Sequence, residues 1–182
     1  NSFSEAKKTF VRALEISPTY ADAHNNLGTL LQKHDPEKAL YHYNRACLDK
    51  NILPVVYLNI ATVLRQIGHG KLALEYAKQS IKHKSESFEC TKVLGILFMD
   101  QGNFKKAEEF FKKTLKLNPL EAESYRLLSK ISPFQDSIIQ KLLIYLKEKK
   151  FKKIEEKHIL FLLGDYYQKQ KNYSLSWNYY NK

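Results

Sequence analysis

The sequence predicts an all-α protein, a stack of about eleven helices arranged as antiparallel pairs. Three observations predict it. Ala6, Ala39, Ala73 and Ala107 recur at intervals of 33, 34 and 34 residues, the spacing of a helical-repeat array. A second series of small residues, Gly28, Ala61, Gly95 and Ser129, recurs between them, each directly after a Leu or Ile. Only 6 Gly and 5 Pro interrupt 182 residues rich in Leu, Lys, Glu and Ala, which are good helix formers.

The alanine-centred helices share one pattern of offsets. Four residues after each Ala stands Phe10, Tyr43, Ala77 or Phe111, and seven after it Ala13, Ala46, Ser80 or Thr114. Offsets of four and then three stay on one face of an α-helix. Twelve residues after each Ala comes a terminator: Pro18, Asn51, Ser85 or Pro119.

The intervening helices read His24-x-x-Leu27-Gly28-x-x-Leu31, Tyr57-x-x-Ile60-Ala61-x-x-Leu64, Thr91-x-x-Leu94-Gly95-x-x-Phe98 and Tyr125-x-x-Leu128-Ser129. Gly inside a helix costs about 1 kcal/mol relative to Ala. Its recurrence at Gly28 and Gly95 therefore predicts close approach of a neighbouring helix. His34-Asp35-Pro36, Gly68-His69-Gly70 and Gly102-Asn103 mark the turns between paired helices.

These positions resemble the tetratricopeptide repeat, a helix–turn–helix unit of about 34 residues. The resemblance is best from Ala13 to Pro119. The endings Glu15-Ile16-Ser17-Pro18 and Lys116-Leu117-Asn118-Pro119 resemble it more than the RNA-reading pentatricopeptide form. His24, Tyr57, Thr91 and Tyr125 fill the first aromatic slot, where the family usually has Trp. The resemblance implies a right-handed α-solenoid.

After Ile131 the pattern loosens. Pro133 is expected to cut a helix short. Ile138, Ile139, Leu142, Leu143 and Leu146 predict a further helix, and the Lys-rich stretch from Lys147 to Lys157 separates it from a last pair. There Phe161, Leu162, Leu163, Gly164 and Tyr167 repeat the Leu-Gly-aromatic signature, Asn172 marks the turn, and Ser176 and Tyr180 take the slots of Ala and Phe. The predicted organisation is a regular array over residues 1–131, then an irregular pair and a terminal pair over residues 132–182.

Several function classes are excluded or disfavoured. With 2 Cys, both expected to be buried thiols, and no Cys-x-x-Cys, neither a disulfide scaffold nor a structural zinc site is expected. His24, His34, His42, His69, His83 and His158 lack metal-ligand spacing, and His24 is expected to pack in its aromatic slot. No P-loop, His-Glu-x-x-His or Gly-x-Ser-x-Gly occurs. The segment is thus expected to hold no catalytic residue, cofactor or metal.

The net charge of +11 is uneven: residues 1–91 hold 12 basic and 9 acidic side chains, residues 92–182 hold 18 and 10. Only Arg12, Arg45, Arg65 and Arg126 of the 30 basic residues are Arg. Bidentate recognition of bases and phosphates favours Arg, so nucleic-acid binding is not expected, and the Lys141–Lys157 stretch reads as a solvated face. No membrane span or signal pattern is present, and a cytoplasmic protein is expected. Because the chain opens at Asn1 rather than Met, the natural protein is expected to be longer.

In the family that the repeats resemble, the first helices of successive pairs line a concave groove that binds a peptide or partner protein. By that resemblance the groove residues here are Asn25, Asn26, Thr29, Asn59, Thr62, Arg65, Lys92 and Arg126, with Leu58 among their neighbours. Asn26 and Asn59 resemble the start of the asparagine ladder in the repeat domain of O-linked N-acetylglucosamine transferase. There side-chain amides grip a peptide backbone, since an amide donates and accepts at once. Val93 and Leu127 end the ladder after two rungs. The carboxylate clamp of chaperone co-receptors is absent, because Asn25, Thr29, Glu89 and Val93 stand in its other slots.

Residues 122–182 are similar to the junction between tetratricopeptide repeats and the catalytic domain of bacterial sulfotransferase-family proteins. That implies an alternative, the non-catalytic acceptor-binding arm of such an enzyme. Phe3, Phe10 and Val11 at one end, and Trp177 and Tyr180 at the other, lack polar capping helices. End-to-end self-association is expected from them.

Overall fold

The computed structural model describes residues 2–49, 54–83 and 87–182. These form eleven helices: α1 (Ser2–Ile16), α2 (Ala21–Leu31), α3 (Pro36–Ala46), α4 (Pro54–Gln66), α5 (Gly70–His83), α6 (Phe88–Asp100), α7 (Phe104–Leu117), α8 (Ala122–Ile131), α9 (Asp136–Lys147), α10 (Lys153–Lys169) and α11 (Tyr173–Tyr180). No strand occurs among the described residues. The chain divides into two compact units, Asn1–Gln101 and Gly102–Lys182.

In the first unit the alanine face is the core face. Ala39, Tyr43 and Ala46 on α3, and Ala73, Ala77 and Ser80 on α5, are fully buried. From the intervening helices Leu27, Ile60, Ala61, Leu94 and Phe98 join them. Gly28 is there because nothing larger fits: a Cβ on it would stand 2.7 Å from the Tyr43 ring. Ser80 donates from its hydroxyl to the Pro54 carbonyl at 2.9 Å, and its oxygen lies 3.2 Å from Cys90 Sγ. A polar side chain is thus tolerated in a small-residue slot because it is hydrogen-bonded. On α1 the same face is less covered. Ala6 and Ala13 are only half-buried, and Phe3, Val11 and Ile16 are exposed.

Turn chemistry follows the residues. Asp35 caps α3 by accepting the Lys38 N–H at 3.0 Å. Gly68 adopts φ +87° after α4, with the His69 N–H donating back to the Leu64 carbonyl at 2.8 Å, a Schellman-type stop. The terminators Asn51 and Ser85 lie outside the described residues.

The aromatic slot has a second role. His24 is buried, and its Nε2 lies 3.1 Å from the Pro18 carbonyl. Tyr125, three repeats later, donates its hydroxyl to the Pro119 carbonyl at 3.2 Å. Each side chain ties the start of its helix to the proline turn before it.

In the second unit Ala107, Phe111 and Thr114 of α7 are buried as the spacing predicts. Helix α8 stops at Ile131, and Ser132 is extended at φ −145°, ψ 135°, the conformation that a following proline imposes. Ile139 and Leu142 carry the α9 stripe into a core with Ala122, Tyr125, Ile159, Leu162 and Leu163. Phe151, inside the Lys-rich stretch, is also buried there. That stretch is not a plain separator, because α10 begins within it at Lys153.

Gly164 repeats the Gly28 relationship: a Cβ on it would approach the Tyr180 ring even more closely, while Ser176 donates to the Gly164 carbonyl at 2.9 Å. Lys149 (φ +52°) and Lys171 (φ +59°) take the left-handed positions after α9 and α10.

Candidate functional site

In the first unit, α2, α4 and α6 carry most of the residues expected in the groove. Asn59 Nδ2 on α4 donates to Asn25 Oδ1 on α2 at 2.9 Å, and both side chains are half-buried. Arg65 near the end of α4 donates to Asp100 Oδ2 on α6 at 3.1 Å. Two cross-links therefore run between successive first helices. Asn26 is exposed on α2 and takes no part in the Asn25–Asn59 bond.

Thr29 and Thr62 turn back onto their own helices, donating to the Asn25 and Leu58 carbonyls at 3.0 and 2.8 Å. The Tyr43 hydroxyl reaches Thr29 Oγ1 at 3.2 Å and donates to Gln32 Oε1 at 3.1 Å. Lys92 is half-buried on α6. Leu58 is a correction. It is only 6% exposed, packed into the unit instead of offered to a ligand.

Arg126 lies in the second unit, on α8, 3.7 Å from Glu123 on the same helix. It lines a 350 Å³ cavity with Ser129, Lys130, Pro133, Phe134, Leu162, Asp165, Tyr166, Lys169 and Gln170. Sequence spacing did not reveal this cavity. It forms where Pro133 ends α8 and the chain turns across towards α9.

The thiols are poor nucleophiles by environment. Cys47 is half-buried, and burial pushes its thiol pKa up; Cys90 is buried beside Ser80. The hydroxyl of Tyr166 donates to Asp136 and that of Tyr180 to Asp165 at 2.5 Å, which spends both phenols. The Asp136 carboxylate raises the Tyr166 pKa to about 12. Among the described residues no three His, Cys, Asp or Glu side chains are grouped so as to hold a metal, and no helix is long and apolar enough to cross a membrane.

Residues 93–119 match the tetratricopeptide repeat family. Three solved structures extend the likeness to nearly the whole chain. PilW, a widely conserved type IV pilus biogenesis factor, is 16% identical with a TM-score of 0.77, over 97% of this chain and 82% of PilW. The Cut9–Hcn1 hetero-tetramer of APC/C gives 18% identity and a TM-score of 0.77, over 98% of this chain and 36% of that one. YrrB, described as a TPR protein with an unusual peptide-binding site, gives 17% and 0.58, over 98% and 83%. The fold is that of tetratricopeptide repeat proteins. No curated protein matches the chain.

Proposed function

We propose that this chain is a protein-interaction scaffold whose first helices, α2, α4 and α6, present a face for an extended peptide or a partner protein, with no chemistry of its own. The Asn59–Asn25 bond at 2.9 Å carries this reading. It holds one amide of each residue in a fixed orientation, leaving Asn59 Oδ1 and Asn25 Nδ2 to face a ligand backbone. Preorganised polar groups lose less entropy on binding. Arg65, held by Asp100, and Lys92 extend the polar face along α4 and α6. YrrB, with its peptide-binding site, supports the same use of the fold.

The test is a pull-down with the intact gene product, repeated with Asn25→Ala and Asn59→Ala. Partners retained by the parent and lost by the double variant support the reading. Unchanged capture by a folded double variant overturns this face as the binding surface. Exposed Phe3, Val11 and Trp177 support self-association as a second use of the same chain, which light scattering over a range of concentrations checks. The sulfotransferase-arm alternative rests on the sequence resemblance of residues 122–182, and no contact in the second unit favours it over a scaffold.

A further inference from the structure

The cavity between α8 and α10 carries more basic than acidic side chains. Arg126, Lys130 and Lys169 line it, against one carboxylate, Asp165. That carboxylate is already engaged, accepting the Tyr180 hydroxyl at 2.5 Å. Lys130 and Lys169 make no ion pair among the described residues. Arg126 has only the 3.7 Å contact with Glu123, and both side chains are about two-fifths exposed. Such a contact holds a guanidinium weakly. Pro133, Phe134 and Leu162 supply apolar walls, and Ser129 and Gln170 supply polar ones.

The cavity is a product of the repeat's irregularity. Helix α8 has 10 residues where α4 and α6 have 13. Residues 132–135 follow α8 without helix and supply Pro133 and Phe134 to the cavity wall. A volume of 350 Å³ lies at the low end of ligand pockets and suits one or two amino-acid side chains.

We infer that this cavity binds an acidic segment of a partner protein, with a Glu or Asp side chain between Arg126, Lys130 and Lys169 and an adjacent apolar side chain against Phe134. The inference rests on the scaffold reading but uses a different unit and different residues. Excess positive charge at a small, partly apolar pocket selects a carboxylate beside a hydrophobic group. The pocket is less suited to nucleic acid. Of its two rings, Phe134 is half-buried and packed T-shaped on Tyr125 at 6.3 Å, and Tyr166 is packed T-shaped on Tyr167 at 5.2 Å with its hydroxyl on Asp136, instead of standing free as platforms for bases.

The experiment uses the full chain labelled with ¹⁵N and two synthetic peptides, acetyl-Glu-Leu-Asp-Glu-Phe-Glu-amide and its Gln/Asn counterpart. A single-stranded oligouridine is the third probe. The acidic peptide is expected to shift amide resonances of residues 126–134 and 165–170, and the neutral peptide to leave them in place. Lys130→Gln with Lys169→Gln should weaken the acidic peptide roughly three- to tenfold, the range for two exposed ion pairs, with the spectrum of the free protein otherwise preserved. Equal binding of both peptides, no shift with either, or oligouridine moving the same resonances more strongly would each overturn the inference. A partner still captured through Asn25 and Asn59 in any of those cases would leave the scaffold reading standing.

Discussion

Asn59 on α4 donates to Asn25 on α2 across 2.9 Å, joining residues 34 positions apart in the sequence. The bond is between helices that each begin a repeat, so it acts on repeat-to-repeat geometry as well as on any ligand. Asn59→Ala should cost about 0.5–1.5 kcal/mol, the usual net value of a hydrogen bond. Asn25→Ala should cost about the same, and the double variant less than the sum. Asn26→Ala should leave stability within about 0.5 kcal/mol, as for other exposed positions. Urea denaturation of the four variants checks the set; an additive Asn25/Asn59 pair would show that the bond contributes nothing.

Close helix packing gives the second prediction. Gly28→Ala gains about 1 kcal/mol of helix propensity but drives a methyl to 2.7 Å from a fully buried Tyr43 ring. Overpacking of this kind costs about 1–3 kcal/mol, so net destabilisation of up to about 2 kcal/mol is expected. Gly164→Ala should cost less, although its contact is shorter. Tyr180 is half-buried at the end of α11 and can turn aside. Thermal melts compare the two, and a stabilised Gly28→Ala protein would contradict the packing account.

Two lysines occupy positions suited to glycine. An L-residue in the left-handed region costs about 1–2 kcal/mol, partly offset because Gly loses more entropy on folding. Lys149→Gly and Lys171→Gly should each raise stability by up to about 1 kcal/mol. Gly68→Ala, at φ +87°, should lower it by a similar amount. Denaturant midpoints measure all three.

His42 makes stability depend on pH. The Pro18 carbonyl can only accept, so His24 Nε2 carries the proton there, and His24 Nδ1 is left to accept from His42 Nδ1–H at 2.9 Å. Burial, and then the neighbouring His24, hold the His42 pKa below its usual 6.5. The folded state thus disfavours protonated His42. Its contribution to stability is complete above pH 6.5 and is lost as pH falls from there towards the lowered pKa.

Tyr41 packs T-shaped on His42, and Lys7, Glu15, His34, Asp35 and Lys38 share the surrounding groove. His24→Tyr should keep the tie to Pro18, as Tyr125 does with Pro119, and remove the pairing. Melting temperatures between pH 7.5 and 5.5 should fall more for the parent than for His24→Tyr or His42→Gln. Equal slopes would assign the effect to other groups.

Much of the fold was legible in spacing alone. Ala39, Ala73 and Ala107, with Tyr43, Ala77 and Phe111, are all fully buried, because a helix that packs along one face must repeat its small and large residues at fixed intervals. Pro133 ended α8 where expected, because its ring constrains the residue before it. What spacing missed has a common cause. Lys149 and Lys171 turn the chain without glycine, and Phe151 is core although its neighbours are lysines. Neither property belongs to a periodic pattern.

The site divides in the same way. That α2, α4 and α6 would share a face followed from the repeat length. Which side chains on it would meet did not. Equivalent slots paired Asn26 with Asn59, but the structure bonds Asn59 to Asn25, because the lateral offset between neighbouring helices decides which amides come within 3 Å. The sequence by itself determined the helices, their faces and their order, since these follow from local periodicity and backbone restriction. Tertiary structure alone decided the Asn25–Asn59 and Arg65–Asp100 cross-links and the cationic cavity at Arg126, Lys130 and Lys169. Those depend on distances between segments that no spacing along a single chain encodes.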